Sequence, residues 1–313
     1  MKFIDLHCDT VWKLVEEGEQ ANLYRNSFSV DIEKLRAGQV QAQFFALFVN
    51  KEKTPDPLAR ANAMAERFFR EIEKNEQHIA LAKNYGQLME NQAGGKISAF
   101  LTIEEGAVLN GSLANLENFY HLGVRLITLT WNHPNELGYP NCRPEGSGSG
   151  LTAFGREVVA AMNDLGMLVD VSHMSDGGFW DVARLATKPF VASHSNARAV
   201  TGHPRNLTDD MIRVLAEKGG VMGLNFERSF LGDAGVSRIA DMVRHLQHIR
   251  KVGGIEVIAI GSDFDGIEPE LELAHAGEMH KLVQALEGGG FRQDEIEKIC
   301  WRNALRVIRD TLK

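Results

Sequence analysis

Apolar residues recur along this chain in eight short runs rich in β-branched and aromatic side chains, a pattern that predicts β-strands. Segments in which the apolar residues follow the 3.6-residue period of a helix lie between most of these runs. The predicted strands are residues 3–9, 42–49, 98–105, 125–132, 168–173, 189–195, 220–226 and 257–266. Strands that alternate with helices imply a parallel sheet.

The segments between the strands predict helices and one long loop. Residues 58–82 predict a long helix, and Thr152 and Thr208 are expected to cap the helices that follow them. Residues 133–150 predict an extended loop, and residues 293–312 predict an amphipathic helix packed on the strands. Eight strand–helix units with nearly continuous apolar strands, and no dinucleotide-binding glycine motif, favour a single α/β domain over residues 1–313: a (β/α)8 TIM-type barrel rather than an open sheet.

Composition narrows the classes of partner. The formal net charge is −8 and no run of Lys or Arg is present, so a nucleic-acid partner is not expected. The first residues lack the apolar core of a signal peptide and no stretch is apolar enough to span a membrane, so we expect a cytoplasmic protein without a membrane partner. The three widely spaced cysteines predict reduced thiols. A homodimer is left open.

Ionisable side chains stand at the carboxyl ends of most predicted strands, where TIM barrels carry their active sites. In the first strand, the two-residue period sends His7 and Asp9 to one face and Cys8 to the other. The residues at the strand ends are His7 and Asp9, Glu104 or Glu105, Trp131 and His133, His173, His194, and Asp263 and Asp265.

Each of these residues has an ordinary structural explanation when taken alone, since a single Asp at a strand end is commonly a helix cap. Their convergence at one barrel mouth is harder to explain, because burying three histidines and three carboxylates without a cation is costly. Imidazole and carboxylate ligands without thiolate fit Zn²⁺ or a similar divalent ion, and a carboxylate can bridge two such ions. Because a metal pair turns a shared water into a nucleophile, the residues predict metal-assisted hydrolysis.

The motifs that carry these residues resemble one known family over most of the chain, from residue 3 to about residue 310. The motifs are "DLHCDT", "TIEEGAVLNGS", "LTLTWNHPNELG", "VDVSHMS", "SHSNARAVTGHPRNLTDD" and "IGSDFDG". In this order they resemble the membrane (renal) dipeptidase family, the M19 metallopeptidases of the amidohydrolase-like barrels. The resemblance implies two zinc ions per chain, with His7 and Asp9 on one, His173 and His194 on the other, and Glu104 bridging both.

The resemblance also implies roles for two further residues. Asp263 is similar to the family residue that handles the bridging water and passes its proton to the leaving amine. Arg205 matches the family arginine that binds the C-terminal carboxylate of the dipeptide, a task that suits the bidentate fork of a guanidinium. Of the paired acids, Glu104 takes the family position and Glu105 stands where a glycine is usual. Asp265 is expected to hold its loop.

One position departs from the family pattern and concerns the substrate pocket. Renal members carry a substrate-contacting histidine directly after "LTLT", and here that position is Trp131. His133, two residues later and on the same face of a continuing strand, is one candidate to replace it as a substrate-binding residue. The other interpretation is that Trp131 forms the wall of a pocket for an apolar side chain.

The resemblance implies a binuclear zinc dipeptidase. Its expected reaction is hydrolysis of the peptide bond of small dipeptides, including those with a C-terminal D-residue, by attack of a metal-bridging hydroxide. Because a fold does not fix a function, the alternative is another amidohydrolase reaction, with lactone, phosphoester or deaminase chemistry. A non-catalytic metal-binding scaffold is the remote alternative.

Overall fold

Parallel strands close into a ring at the centre of the computed structural model, which describes residues 1–313. The strands are β1 (Phe3–Cys8), β2 (Val40–Phe48), β3 (Ile79–Leu81), β4 (Ile97–Glu104), β5 (Val124–Thr128), β6 (Leu168–Asp170), β7 (Val191–Ala192), β8 (Val221–Leu224) and β9 (Ile258–Ile260). Every strand except β3 corresponds to one of the eight predicted runs. Pairing of β2 with both β1 and β4 closes an eight-stranded barrel, so the predicted TIM-type fold is confirmed.

Strand β3 corrects the prediction of one continuous helix over residues 58–82. The helix ends at Lys74, and Ile79–Leu81 pairs with the first residues of β4. The reason lies in the register of β4, which meets β2 from Ser98 onward but meets β5 only from Leu101. The first residues of β4 would otherwise leave backbone groups without partners along that edge, and β3 supplies those hydrogen bonds.

Helices surround the barrel and follow most of its strands. They are α1 (Thr10–Glu16), α2 (Ile32–Ala37), α3 (Pro57–Lys74), α4 (Tyr85–Ala93), α5 (Leu113–Leu122), α6 (Ala153–Leu165), α7 (Asp176–Leu185), α8 (Asp209–Glu217), α9 (Arg228–Leu231), α10 (Ile239–Gly253), α11 (His280–Gly288), α12 (Gln293–Glu297) and α13 (Asn303–Thr311). Both predicted caps are confirmed, because the hydroxyls of Thr152 and Thr208 accept backbone N–H groups in the first turns of α6 and α8. None of these helices is both long enough and apolar enough to cross a membrane.

The C-terminal segment closes the amino ends of the strands. Helices α12 and α13 are joined by a π-helical turn, Lys298–Arg302, within the predicted amphipathic segment. The Asn303 amide donates to the carbonyl of Ile258 at 2.8 Å, and Arg306 donates to the carbonyl of Gly219, so α13 lies across the starts of β8 and β9. Its apolar face joins a buried cluster contributed by the barrel strands. The opposite end of the barrel, where the strand-end residues lie, opens to solvent through a cleft.

Candidate active site

Glu104, the last residue of β4, lies at the centre of a buried cluster at the carboxyl ends of the strands. Its Oε1 atom is 3.0 Å from His173 Nε2 and 3.4 Å from His194 Nε2. Its Oε2 atom is 3.4 Å from Nε2 of His7. The two oxygens of one carboxylate therefore face two different sets of histidines.

Two further carboxylates lie near His7 on the Oε2 side of Glu104. Its Nε2 atom lies 3.3 Å from Asp9 Oδ2 and 3.7 Å from Asp263 Oδ1. The His7 ring stacks on the ring of His194 with centroids 3.9 Å apart, which joins the two halves of the cluster. The predicted ligands thus form two overlapping triads, His7, Asp9 and Glu104, and Glu104, His173 and His194.

This donor set fits divalent metal. Asp9 Oδ1 is a buried carboxylate oxygen with no hydrogen-bond partner. Burying an unpartnered carboxylate costs free energy unless a cation lies beside it. A Cβ atom at Gly266 would approach Asp9 Oδ2 to 2.1 Å, so only glycine leaves room for this carboxylate in its present place. The ligand atoms within each triad lie within 4.8 Å of one another. Nitrogen and oxygen donors of this kind suit Zn²⁺ and related ions.

The protonation equilibria favour ligand forms for part of the cluster only. At His7 burial favours the neutral ring, but the negative charges of Glu104 and a second carboxylate outweigh it and hold the pKa well above its usual value. Burial, aided by the charge of Arg205, lowers the pKa of His173 to about 4, and burial also holds the pKa of His194 well below its usual value. Both imidazoles are therefore neutral near pH 7, as metal ligation requires. Burial opposes ionisation of Glu104, but the positive charge of His7 and its hydrogen bond hold the pKa of Glu104 well below its usual range.

Glu105 lies outside this cluster. Its backbone has φ of 98°, and its carboxylate accepts hydrogen bonds from the Asn135 side chain and from the backbone N–H of Ala107 at 3.0 Å. Burial raises the pKa of Glu105 to about 7. The structure therefore separates the paired acids as strand parity predicts, with Glu104 toward the cluster and Glu105 beneath the loop that follows β5.

Two hydrogen-bonded partners orient the histidines on the Oε1 side of Glu104. His173 donates from Nδ1 to the Asn132 side-chain oxygen at 3.2 Å. His194 donates from Nδ1 to Ser193 Oγ at 2.7 Å, and that hydroxyl donates to Asp170 Oδ2 at 2.5 Å. In both histidines the Nε2 atom is left free to face Glu104, which fixes the tautomer that a metal needs.

Asp263 is oriented by the residue that follows the adjacent strand β8. Its Oδ2 atom accepts a hydrogen bond of 2.8 Å from the Asn225 amide, while Oδ1 faces His7. Its backbone has φ of 63°, a conformation unusual for a residue other than glycine and common at functional sites. Asp265 is turned elsewhere, since it accepts from the Thr10 hydroxyl at 2.6 Å and from the backbone N–H of Ser29 at 2.7 Å. It ties its own loop to the segment after β1, as expected.

Arg205 is a buried guanidinium without a carboxylate partner. Its Nη2 donates to the carbonyl of His194 at 3.2 Å, its Nη1 reaches Ser195 Oγ only at 3.5 Å, and its Nε has no partner. Its guanidinium carbon lies 5.1 Å from the centre of the Phe230 ring. A buried cation with a free donor beside the cluster is suited to receive an anionic group.

A cleft of about 870 Å³ leads to the cluster and is lined by Asp9, Glu104, His173 and Asp263 among others. Trp131 also lines it, but His133 does not. The His133 ring is held instead by Arg143 at 3.2 Å and lies 3.8 Å from Glu52. The structure thus places Trp131 in the cleft and His133 beside it, away from the ligands.

Sequence reasoning did not identify four residues that orient the cluster: Asn132, Asp170, Ser193 and Asn225. Ser193 precedes the ligand His194 directly, and that adjacency was the one local signal available. Asp170 and Asn225 act across neighbouring strands, so their contacts depend on the register of the barrel rather than on local spacing.

Comparison with known proteins agrees with this geometry. The profile of the membrane dipeptidase family, peptidase family M19, matches residues 1–313. A dipeptidase of Schizosaccharomyces pombe is 32% identical over 99% of this chain and 80% of its own length. The crystal structure of dipeptidase AC, a metallopeptidase of family M19, is similar with a TM-score of 0.92 and 27% identity, covering 100% of this chain and 99% of that one. A Rhodobacter sphaeroides metallopeptidase, liganded with a phosphinate mimic of the dipeptide L-Ala-D-Ala, has a TM-score of 0.91 and 26% identity over 99% of both chains.

Proposed function

This chain belongs to the membrane dipeptidase family, peptidase family M19, whose members include metal-dependent dipeptidases, and we propose that it hydrolyses small dipeptides with two zinc ions. The substrates proposed include dipeptides of the L-Xaa-D-Xaa type, since the similar Rhodobacter sphaeroides metallopeptidase is liganded with a mimic of L-Ala-D-Ala.

The observation that carries this proposal is the position of Glu104 between two sets of ligands. One of its oxygens faces His173 and His194 and the other faces His7, at 3.0–3.4 Å from their Nε2 atoms. His7 and Asp9 would hold one ion, His173 and His194 would hold the other, and Glu104 would contact both. When bound, two such ions activate a shared water and polarise the carbonyl to be attacked.

Asp263 is placed to move the proton in this reaction. Its Oδ1 faces the cluster, while its Oδ2 is fixed by Asn225, so the side chain presents one free oxygen to the reacting groups. As the oxygen of water bonds to the carbonyl carbon, Asp263 takes the proton of the water. It then gives that proton to the amine as the carbon–nitrogen bond breaks. Burial raises the pKa of Asp263 and makes it a better base than an exposed carboxylate.

Arg205 supplies the requirement for a dipeptide rather than a longer peptide. Its unpartnered Nε and weakly engaged Nη1 can donate to the free carboxylate at the C-terminus of the substrate. A peptide extended beyond that point would place a neutral amide against a buried cation, which loses the charge-assisted hydrogen bonds.

The test is a comparison of dipeptides with their C-terminal amides, using L-Xaa-L-Xaa and L-Xaa-D-Xaa series on the zinc-loaded protein. We expect cleavage of the acids and little cleavage of the amides. Arg205→Ala should raise KM for the acids by roughly ten- to a hundredfold, the value of hydrogen bonds to a charged group, with a smaller change in kcat. Equal cleavage of acids and amides would contradict the binding of the substrate carboxylate by Arg205. No cleavage of any dipeptide would contradict the proposed dipeptidase function.

A further inference from the structure

Three aromatic side chains form a continuous wall along one side of the cleft. Trp12 follows β1, Phe48 ends β2 and Trp131 follows β5, and all three line the cleft. The rings of Trp12 and Phe48 meet edge to face with centroids 5.9 Å apart, and those of Phe48 and Trp131 are 4.9 Å apart. None of the three is fully buried. We call these residues the aromatic wall.

The aromatic wall reaches the reacting centre. The Trp131 ring lies 6.3 Å from the ring of His173, whose Nε2 atom faces Glu104. A single substrate molecule can therefore place an apolar group against the aromatic wall while its reacting peptide bond lies at the cluster. Partly exposed aromatic rings in a cleft are a common means of binding an apolar part of a ligand.

The order of the strands in the barrel places the aromatic wall opposite Arg205. Around the barrel, the strands run β1, β2, β4, β5, β6, β7, β8, β9 and back to β1. The wall follows β1, β2 and β5, whereas Arg205 follows β7 and its neighbour Phe230 follows β8. With Glu104 and the other ligands between them, a dipeptide whose carboxylate contacts Arg205 extends its other end toward the wall.

We infer that the aromatic wall binds the side chain of the N-terminal residue of the substrate and selects dipeptides in which that side chain is large and apolar. This inference rests on the proposed dipeptidase function and adds the substrate class to it. The cleft, at about 870 Å³, has room for a side chain as large as that of phenylalanine beside the backbone of the dipeptide.

Charged residues at the rim of the cleft point to a competing preference, for a dipeptide with an acidic N-terminal residue. Arg60 is already paired with Glu16 at 2.5 Å, but Lys53 also lines the cleft. If Lys53 rather than the aromatic wall set the preference, an acidic N-terminal residue would be favoured. The three rings offer a large apolar surface. An apolar side chain that lies against them is removed from water, which is favourable, so we expect a preference for an apolar rather than an acidic residue.

The experiment measures kcat/KM of the zinc-loaded protein for Phe-Ala, Leu-Ala, Gly-Ala and Asp-Ala, and for the reversed pair Ala-Phe. We expect Phe-Ala and Leu-Ala to exceed Gly-Ala and Asp-Ala by about ten- to a hundredfold, which corresponds to the burial of one large apolar side chain. Trp131→Ala should reduce the ratio of Phe-Ala to Gly-Ala by about tenfold, whereas Trp131→Phe, which keeps a ring, should retain most of it. Trp180→Ala, a tryptophan on the outer helix α7, is the matched control and should leave the ratio unchanged.

The outcomes separate this inference from the proposed function. Cleavage of all these dipeptides without an apolar preference, a preference for Asp-Ala, or a preference that follows the C-terminal residue would overturn the aromatic wall and leave the dipeptidase in place. An unchanged ratio in folded, metal-loaded Trp131→Ala protein would overturn it as well. Failure to cleave any dipeptide would overturn the function, and this inference with it.

Discussion

At the scale of single residues, the chemistry depends on how a few side chains are aimed. Glu104 presents one oxygen to each half of the cluster, and the contact of Ser193 with Nδ1 of His194 leaves Nε2 of that ring facing Glu104. The spacing of the motifs predicted that these side chains meet in one cluster, because each stands at a strand end. It could not predict Asp170 or Asn225, whose roles come from contacts with the next strand.

Asp263→Asn tests the assigned proton transfer. An amide of the same shape cannot take up the proton of the attacking water, so kcat should fall by about 10²- to 10⁴-fold. The metal content, measured by elemental analysis of the same preparation, should be unchanged. Near-normal turnover by a metal-loaded variant would show that another group moves the proton.

Ser193→Ala tests the link from Asp170 to His194. Without the hydroxyl, His194 loses the acceptor for its Nδ1 proton and Asp170 is left buried with fewer donors. Loss of such an orienting contact typically weakens metal binding by about 10- to 100-fold, which a competition titration with a chelator would measure.

Ser237→Ala provides the matched control for this substitution. Ser237 is also buried, but its hydroxyl has no hydrogen-bond partner. The same change there should leave metal affinity at the wild-type value. If both variants bind metal equally well, the hydrogen-bonded link does not tune His194.

At the scale of elements, the last residues of the strands and the loops after them carry the functional groups, and the pairing of the strands holds these groups in register. Five residues other than glycine with positive φ lie in these loops, at Glu105, Asn110, His173, Asp263 and Asp265. The eight barrel strands were predictable from their apolar runs. Strand β3 was not, because its short apolar run follows a long helix and fits either structure until the open edge of β4 is known.

His245 on α10 joins two of the loops that carry the cleft. Its Nδ1 accepts from the backbone N–H of Ala197 at 3.1 Å, and its Nε2 donates to the carbonyl of Leu231 at 3.1 Å. Ala197 lies in the loop that contains Arg205, and Leu231 ends α9, which contains Phe230. The bond from Ala197 requires a neutral imidazole, because Nδ1 can accept only without a proton, and burial lowers the pKa of His245 to about 4.

This lowered pKa predicts a pH dependence of stability. The unfolded chain, with a histidine pKa near 6.5, binds more protons than the folded one between about pH 6.5 and pH 4, so the free energy of unfolding falls as the pH decreases through that range. The contribution lost between pH 7 and pH 5 is roughly 2 kcal/mol.

His245→Asn should remove this contribution, because asparagine keeps an acceptor near the Nδ1 position and does not titrate. Chemical denaturation of the metal-free protein at pH 7 and at pH 5 would show a smaller loss of stability in the variant than in the wild type. His248→Asn, at a partly exposed histidine on the same helix, is the control and should keep the wild-type loss. Equal losses in all three proteins would exclude His245 as the source.

At the scale of the whole molecule, the barrel divides its two ends between stability and chemistry. Helix α13 packs across the amino ends, and the cleft with its ligands occupies the carboxyl ends. The repeating strands and helices made this division predictable from sequence. Sequence offered Trp131 as a pocket wall in one of two interpretations. Its contact with Phe48, and that of Phe48 with Trp12, was not predictable, since these rings come together only because their strands are close in the barrel.

The proposed reaction depends on two ions acting together around Glu104. The most direct measurement removes metal with a chelator, adds Zn²⁺ in steps, and follows hydrolysis of a dipeptide against zinc bound per chain. We expect activity to rise until about two equivalents are bound and then to stay constant, as a site with two ions requires. Full activity at one bound equivalent, or no dipeptide hydrolysis with two bound, would contradict the proposed reaction.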